Sequence, residues 1–102
     1  MGGLEKDIEH YLVARCAIRG ILAVKFIPDQ RKGMPDRLLI RPRGRVTWVE
    51  TKRPKGGRLS EMQKYQHGKL RALGHDVRVV ATRAEVDALM DELTETEKDL
   101  KP

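Results

Sequence analysis

The sequence is poor in two residue classes whose abundance would indicate other kinds of protein. Its single cysteine, Cys16, cannot form an internal disulfide, and its place on an apolar helical stripe predicts a buried hydrophobic role. Aromatic residues make up only 4% of the chain. Because Trp48 and Tyr65 fall at positions predicted to face the core, the sequence does not indicate a base-stacking platform for single-stranded nucleic acid.

Long apolar runs and domain linkers are absent as well. No segment has the length and hydropathy of a membrane span or a signal peptide, which predicts a cytoplasmic protein with no membrane partner. The 102 residues contain no internal repeat, so we expect a single domain over residues 1–93, followed by a polar tail over 94–102. A domain of this size has a narrow margin of stability, which favours self-association.

Basic residues outnumber acidic ones. The chain has 21 Lys and Arg against 15 Asp and Glu, a formal net charge of +6. The basic residues concentrate between Lys25 and Lys55, whereas the segment from Asp91 onward is acidic. Such a face attracts phosphate backbones through charge and counterion release, so the distribution supports a polyanionic partner. A solvated surface run has the same composition, and charge alone does not identify the partner.

Apolar periodicity and turn residues predict an α/β fold in the order α-β-β-β-α-β-α. In chain order, the predicted elements are a helix over 4–19, strands over 21–27, 37–41 and 45–52, a helix capped by Ser60 and ended by Gly74, a strand over 76–81, and a helix capped by Thr82 that runs from Arg83 to about Leu93. The second helix has a predicted inward side formed by Met62, Tyr65, Gln66, Leu70 and Leu73. The third helix has a predicted inward side formed by Val86, Leu89 and Met90.

The predicted hairpin over 37–52 brings two carboxylates together. Pro42-Arg43-Gly44 forms a three-residue loop with glycine in the left-handed conformation. With this loop length Asp36 lies opposite Glu50, and strand alternation places Lys52 on the face of Glu50. A two-residue loop would shift the register and separate the two acids.

Two carboxylates beside an amine suit metal-assisted hydrolysis of a phosphodiester. Hard oxygen ligands bind Mg²⁺, for which Mn²⁺ is the expected substitute, and the metal lowers the pKa of a bound water. The backbone carbonyl of Thr51 lies between the side chains of Glu50 and Lys52 and is a further candidate ligand. Lys52 would position the attacking water or accept its proton. The simpler interpretation is an exposed Glu50–Lys52 ion pair and a loop cap at Asp36, because Glu-x-Lys triplets are common.

Three segments together carry a more specific resemblance. They are Gly33-Met34-Pro35-Asp36-Arg37, Trp48-Val49-Glu50-Thr51-Lys52 and Arg58-Leu59-Ser60-Glu61-Met62-Gln63. In this order and spacing they resemble the virus-type replication-repair nuclease (VRR-NUC) family of the PD-(D/E)xK nuclease superfamily. The resemblance implies a restriction-endonuclease-like core, in which helices flank a central mixed sheet. It also implies a small, often phage-encoded nuclease that is similar to Holliday-junction resolvases in fold and dimeric assembly.

The resemblance assigns roles to four residues. It implies that Asp36 and Glu50 are catalytic metal ligands, that Lys52 is the catalytic lysine, and that Gln63 closes the site from its helix. The neighbouring Gln66 lies at the centre of the predicted buried side. Its side chain is as well explained by hydrogen bonding to a buried backbone group as by function.

The family also has a glutamate in the first helix, for which Glu5 and Glu9 are both candidates. They lie one turn apart at the edge of the apolar stripe. We favour Glu9 as a catalytic residue that binds the metal directly or through water, because its neighbours Ile8 and Leu12 turn its carboxylate partly inward, where a charge needs a partner. The alternative is that both glutamates face solvent near the helix N-terminus.

The remaining charged residues divide into phosphate contacts and surface groups. Flexible cations beside the site can follow a nucleic-acid backbone without reading bases, and the candidates for this role are Arg37, Arg53, Lys55 and Arg58. The histidines His10, His67 and His75 have no zinc-site spacing with the lone cysteine, and surface or turn positions are predicted for them. His67 lies one turn after Gln63 and is the one histidine with a chance of facing the substrate.

Two functional hypotheses follow. The first is a Mg²⁺-dependent DNA endonuclease that acts as a homodimer on branched or four-way-junction DNA in replication, recombination or repair, within a bacterial host cell. The junction preference and the phage context come from the resemblance alone. The second is a non-catalytic DNA-binding protein on the same scaffold. Carboxylates beside a phosphate groove repel DNA unless a cation is bound, which disfavours the second hypothesis.

Overall fold

The computed structural model describes the backbone of residues 4–99 and the side chains of residues 4–94. Its elements are α1 (Glu5–Ile18), β1 (Leu22–Lys25), β2 (Arg37–Arg41), a 3₁₀ turn (Pro42–Gly44), β3 (Arg45–Thr51), α2 (Glu61–Ala72), β4 (Asp76–Val80) and α3 (Arg83–Asp99). The predicted element order is therefore confirmed. Among the described residues, no helix is both long enough and apolar enough to cross a membrane.

A four-stranded mixed sheet in the order β1-β2-β3-β4 organises the chain. β1 pairs with β2 and β2 with β3 in antiparallel fashion, whereas β3 and β4 are parallel. Parallel neighbours need a crossover, and α2 supplies it between β3 and β4. The predicted α/β class, with a mixed sheet flanked by helices, is confirmed.

The hairpin between β2 and β3 has the predicted register. Leu38 pairs with Trp48 and Arg37 pairs with Val49, so that the next position along brings Asp36 opposite Glu50. The turn differs from the prediction in one respect. Gly44 has the expected positive φ of 71°, but Arg43 before it is also left-handed at 68°. A non-glycine residue rarely adopts this conformation, and nothing in the sequence indicates it.

The main core lies between the sheet and the helices α1 and α3. Its buried apolar side chains are Ile8, Leu12, Cys16, Ile21, Leu39, Val49, Val80, Val86, Leu89, Met90 and Leu93. The predicted burial of Cys16 and the predicted inward side of α3 are both confirmed. Val49 belongs to this core. Because successive side chains of a strand point to opposite faces of the sheet, the next residue, Glu50, points away from the core.

The buried side of α2 differs from the prediction. Met62 is 49% exposed, Tyr65 59% and Leu73 77%, whereas the buried residues of the helix are Gln66, His67 and Leu70. The predicted surface position of His67 and the predicted packing role of Tyr65 were therefore wrong, while His10 and His75 are exposed as expected. The physical reason is that α2 directs the polar side chains of Gln63 and His67 toward the Glu50 carboxylate of β3.

Two element boundaries differ from the prediction by more than one residue. β1 ends at Lys25 instead of reaching Ile27, which is 79% exposed and precedes Pro28, a residue without a backbone donor for a strand ladder. The closing helix continues past Leu93 to Asp99 through residues that include good helix formers. The last residues of the predicted tail, 100–102, lie outside the described part of the chain.

Candidate active site

Three carboxylates from different elements converge at one end of the sheet. Glu5 comes from the first turn of α1, Asp36 from the residue before β2, and Glu50 from the penultimate position of β3. One oxygen of each lies within 4.8 Å of the others. Their exposure falls in order, because Glu5 is exposed, Asp36 is partly buried and Glu50 is only 4% exposed.

Asp36 is held in place by the strands on either side. Its carbonyl accepts a hydrogen bond of 2.8 Å from the Phe26 amide, which extends the β1–β2 ladder by one step. On the other side, the Thr51 hydroxyl donates to Asp36 Oδ2 at 3.4 Å. Pro35 before it is fully buried. The aspartate therefore occupies a defined position although it lies outside a regular strand.

The loop before Asp36 packs against the start of α2. A Cβ atom on Gly33 would lie only 2.5 Å from the Met62 carbonyl oxygen, and the glycine has a φ of 93°. Only glycine fits both the close approach and the backbone conformation. This contact joins the segment that carries Asp36 to the helix that contacts Glu50.

Gln63 of α2 contacts Glu50 directly. Its side-chain Nε2 donates to Glu50 Oε2 at 3.2 Å. Its side-chain Oε1 accepts from the Ser60 backbone N–H at 2.9 Å, while the Ser60 hydroxyl accepts from the Gln63 backbone N–H at 3.1 Å. This reciprocal capping box fixes the first turn of the helix. The side-chain amide of Gln63 therefore both caps α2 and orients the Glu50 carboxylate.

Lys52 lies on the same side as Glu50, as strand alternation predicts. Its Nζ is 3.8 Å from Glu50 Oε2, and its side chain is only 14% exposed. The Lys52 amide donates to the Val80 carbonyl at 2.8 Å, so the β3–β4 pairing fixes the backbone at this point. The amine is thus held beside the carboxylates and is not a freely moving surface charge.

The cluster carries an electrostatic cost. Burial, together with the neighbouring Asp36 carboxylate, raises the pKa of Glu50 to about 7, although Lys52 and Gln63 act in the opposite direction. Burial, together with Glu9 and Glu5, also raises the pKa of Asp36. Carboxylates brought this close disfavour one another's ionised forms. A bound cation would reverse that preference.

Two oxygens of the cluster have unmet hydrogen-bonding capacity. Asp36 Oδ1 and Glu50 Oε1 are buried, and neither has a hydrogen-bond partner among the described residues. Buried polar atoms of this kind are rare in folded proteins and indicate a missing partner. Their convergence with Glu5 fits a divalent cation with oxygen ligands.

His67 forms the floor of the site beneath Glu50. Its side chain is 1% exposed, and Nε2 lies 4.0 Å from Glu50 Oε1. Burial lowers the pKa of His67, and the nearby cations Arg71 and Lys52 lower it further. A buried ring of this kind cannot touch a substrate, which excludes the alternative in which His67 faces the substrate.

Glu9, the glutamate favoured from sequence, has a different partner. Glu9 Oε2 accepts two hydrogen bonds from Arg37, from Nη2 at 2.9 Å and from Nε at 3.1 Å, and lies 3.5 Å from Lys25 Nζ. Its inward orientation was anticipated, but the charge is balanced by an arginine. Glu5, one turn earlier, is the glutamate of α1 whose oxygen joins those of Asp36 and Glu50.

A basic cleft opens beside the carboxylates. It has a volume of about 460 Å³ and is lined by Leu4, Glu5, Lys52, Arg53, Gly56, Gly57 and Arg58. Glu5 and Lys52 therefore belong both to the cleft and to the carboxylate site. Of the predicted phosphate contacts, Arg53 and Arg58 line this cleft and Lys55 is exposed next to it, whereas the Arg37 side chain is 15% exposed and engaged by Glu9.

The site and its surroundings match a known domain. The profile of the VRR-NUC domain matches residues 5–84, which run from the start of α1 into α3. The chain belongs to the VRR-NUC family. The matched range includes the three clustered carboxylates together with Lys52 and Gln63.

Individual relatives agree with this assignment. A solved structure of a VRR-NUC domain superposes with a TM-score of 0.80 at 32% sequence identity, covering 85% of this chain and 94% of that one. The protein named "Putative nuclease p44" of Acyrthosiphon pisum secondary endosymbiont phage 1 is 41% identical over 76 residues, which span 74% of this chain and 81% of that protein. The family, the fold and the phage relative thus match the resemblance drawn from the motifs.

Two residues around the carboxylates of this VRR-NUC domain were not assigned from sequence. From the sequence, Glu9 is favoured over Glu5 because its neighbours Ile8 and Leu12 predict an inward orientation, whereas spacing alone cannot separate two glutamates on one face of α1. His67 was assigned to the surface, although its spacing of one turn from Gln63 placed the two on one helix face. That spacing is the signal that would have found it.

Proposed function

We propose that this VRR-NUC domain is a divalent-metal-dependent DNA endonuclease. The observation that carries the proposal is the convergence of three carboxylates, two of which have buried oxygens without a hydrogen-bond partner among the described residues. A structural role for these acids would leave their burial and mutual repulsion uncompensated. A divalent cation compensates both.

In this proposal the metal ligands are Glu5, Asp36 and Glu50, with the backbone carbonyl of Thr51 as a further candidate. Mg²⁺ is the expected ion because all the donors are hard oxygens, and Mn²⁺ would substitute for it. When bound, the ion supplies Lewis-acid stabilisation of the charge that develops on the scissile phosphate and activates water. Glu9 balances Arg37 and supports the site from one turn away.

Lys52 acts on the attacking water, and Gln63 acts on Glu50, one of the metal ligands. Lys52 Nζ is confined beside Glu50 at the border of the cleft, where it can orient the attacking water or take a proton from it. Gln63 holds the Glu50 carboxylate by Oε2, and each carboxylate oxygen that accepts one hydrogen bond keeps a second lone pair for a cation. We expect Lys52 to affect turnover and Gln63 to affect metal binding.

The substrate is DNA, held by its backbone. Arg53 and Arg58 line the cleft beside the carboxylates, and Lys55 lies on the same loop. Cations of this kind contact phosphates without reading base sequence, which suits recognition of DNA shape. Branched or four-way-junction DNA is our preferred substrate, on the strength of the resemblance to junction-resolving nucleases. We expect the enzyme to act inside a bacterial host, as a phage-encoded protein would.

A homodimer would give the two cuts that a junction requires. The candidate surface is the outer part of the sheet, where Leu22 is 61% exposed and Val24 and Ile40 are each 37% exposed. Leu22 pairs with Ile40 across β1 and β2, so these side chains form one apolar patch. Light scattering after gel filtration would test the dimer, with Leu22→Glu expected to yield monomers. A monomeric wild-type protein would exclude it.

Cleavage of defined DNA substrates tests the proposal. Linear duplex, single-stranded, flap and four-way-junction DNA are each incubated with the wild-type protein in Mg²⁺, Mn²⁺ or EDTA. We expect metal-dependent cleavage that is abolished by Asp36→Ala and unaffected by Asp29→Ala, a change in an exposed aspartate of the preceding loop. Cleavage that survives in EDTA or in Asp36→Ala would refute the mechanism. Binding without cleavage in any metal would identify a non-catalytic DNA-binding protein.

A further inference from the structure

A histidine lies beneath the carboxylate cluster with no hydrogen bond to either ring nitrogen. Nδ1 and Nε2 of His67 are both buried and lack a partner among the described residues. Glu50 Oε1, which faces Nε2 across 4.0 Å, is buried and lacks a partner as well. Two groups with complementary hydrogen-bonding capacity thus face each other at a distance just beyond a hydrogen bond.

The two oxygens of Glu50 have different surroundings. Oε2 accepts from Gln63 at 3.2 Å and lies 3.8 Å from Lys52 Nζ. Oε1 faces the imidazole of His67. Gln63 and His67 are one helical turn apart, so both project from the same face of α2 toward this carboxylate. One helix therefore presents a side-chain nitrogen to each oxygen of Glu50.

Packing alone does not explain a histidine at this position. A leucine would fill an apolar site on the buried side of α2 without leaving two ring nitrogens unpartnered, which carries a free-energy cost. Direct contact with DNA is excluded because only 1% of the side chain is exposed. A role as a metal ligand is not supported, because the group of converging ligand atoms found in the described chain contains Glu5, Asp36 and Glu50 without His67.

We propose that His67 is a positioning residue whose Nε2–H donates to Glu50 Oε1 and fixes the plane of this carboxylate when a divalent cation is bound. The inference rests on the proposed metal site. A movement of about 1 Å by the ring or the carboxylate brings the two atoms into hydrogen-bond range. An imidazole with one ring proton donates this bond without adding positive charge next to the cation. Groups that orient a metal ligand in this way commonly affect metal affinity about 10- to 100-fold.

Three substitutions separate positioning from packing. Gln places its amide near the location of the imidazole Nε2, whereas Asn places its amide near Nδ1, and Leu fills the space with no donor. Gln66→Leu serves as the matched control. It changes a buried polar residue of the same helix that lies in a different groove, lined by Met34 and Leu70.

Binding of Mn²⁺, measured by electron paramagnetic resonance on the whole chain, gives a readout that is independent of cleavage. We expect His67→Leu and His67→Asn to weaken Mn²⁺ binding about 10-fold or more. We expect His67→Gln and Gln66→Leu to remain near the wild-type affinity. Turnover of His67→Leu should recover as the Mn²⁺ concentration is raised, because the defect lies in occupancy of the site.

The outcomes separate this inference from the proposed function. If the wild-type protein binds no Mn²⁺, the proposed metal site is wrong and the role of His67 fails with it. If the wild type binds Mn²⁺ and His67→Leu binds it equally well, the metal site stands and the positioning role is refuted. Should His67→Leu fail to fold, the contrast between Gln and Asn decides, and equal affinities for these two variants would overturn the proposal.

Discussion

Replacing Glu50 by glutamine should stabilise the protein in the absence of metal. The carboxylate is 4% exposed, and its pKa rises from 4.5 to about 7 on folding, because of burial first and of Asp36 second. The folded chain therefore binds Glu50's proton more tightly than the unfolded chain does. The contribution of this group to stability is complete below pH 4.5 and is lost as the pH rises through about 7.

The size of the effect follows from the pKa values. Each unit between the unfolded and the folded value corresponds to about 1.4 kcal/mol, so the whole shift corresponds to about 3 kcal/mol. Glutamine keeps the shape of the neutral acid and can still accept a hydrogen bond from Gln63, and the attraction of Lys52 is already included in the pKa of about 7. We therefore expect Glu50→Gln to be about 3 kcal/mol more stable than the wild type at pH 8, which is roughly 15 °C in Tm for a domain of this size.

Thermal unfolding in EDTA at pH values from 4 to 8 measures this effect. The difference between wild type and Glu50→Gln should be small at pH 4 and grow as the pH rises, and Glu61→Gln, at a glutamate whose side chain is 93% exposed, is the control. Adding Mn²⁺ should stabilise the wild type and leave Glu50→Gln unchanged. If the two proteins unfold at the same temperature at pH 8 in EDTA, the argument that burial and the neighbouring Asp36 raise the pKa of Glu50 is wrong.

Three further variants test the other parts of the site. Lys52→Met should keep DNA affinity in a binding titration while turnover falls at least about 100-fold, and unchanged turnover would remove Lys52 from the mechanism. Ser60→Ala removes the cap of α2 and should lower the free energy of unfolding by about 1 kcal/mol in urea titrations; no change would mean that the cap carries no stability. Replacing both Arg53 and Arg58 by alanine should reduce the slope of log affinity against log salt by about 1 per residue, with exposed Lys69→Ala as control. An unchanged slope would place the DNA elsewhere.

The fold could be predicted from the sequence where one local feature determines a long-range outcome. The length of the loop at Pro42–Gly44 determines the register of β2 on β3, and thereby the pairing that brings Asp36 to Glu50. Hydrophobic spacing likewise identified the buried side of α3 and the burial of Cys16. In these cases the pattern reflects a single kind of partner, the apolar core.

Prediction failed where a polar side chain is buried because it lies against another polar group. The inward side of α2 was inferred from its apolar residues, yet Tyr65 faces solvent and His67 is buried beneath Glu50. Hydropathy assigns polar side chains to the surface, so it gives the wrong side of a helix that lines a charged site. The choice between Glu5 and Glu9 cannot be made from the sequence for a related reason. It depends on Arg37, distant in sequence, which balances the charge of Glu9.

The oxygen and the nitrogen of the Gln63 side-chain amide contact different neighbours, and this restricts which residues can replace Gln63. The oxygen accepts from the backbone of Ser60, and the nitrogen donates to Glu50, so rotating the amide by half a turn would break both contacts. Glutamate would keep the acceptor for the helix but turn a second negative charge toward Glu50, and leucine would lose both contacts. The orientation of Glu50 therefore depends on how α2 begins, and a change that loosens the start of this helix should disturb the carboxylate cluster without altering any of its residues.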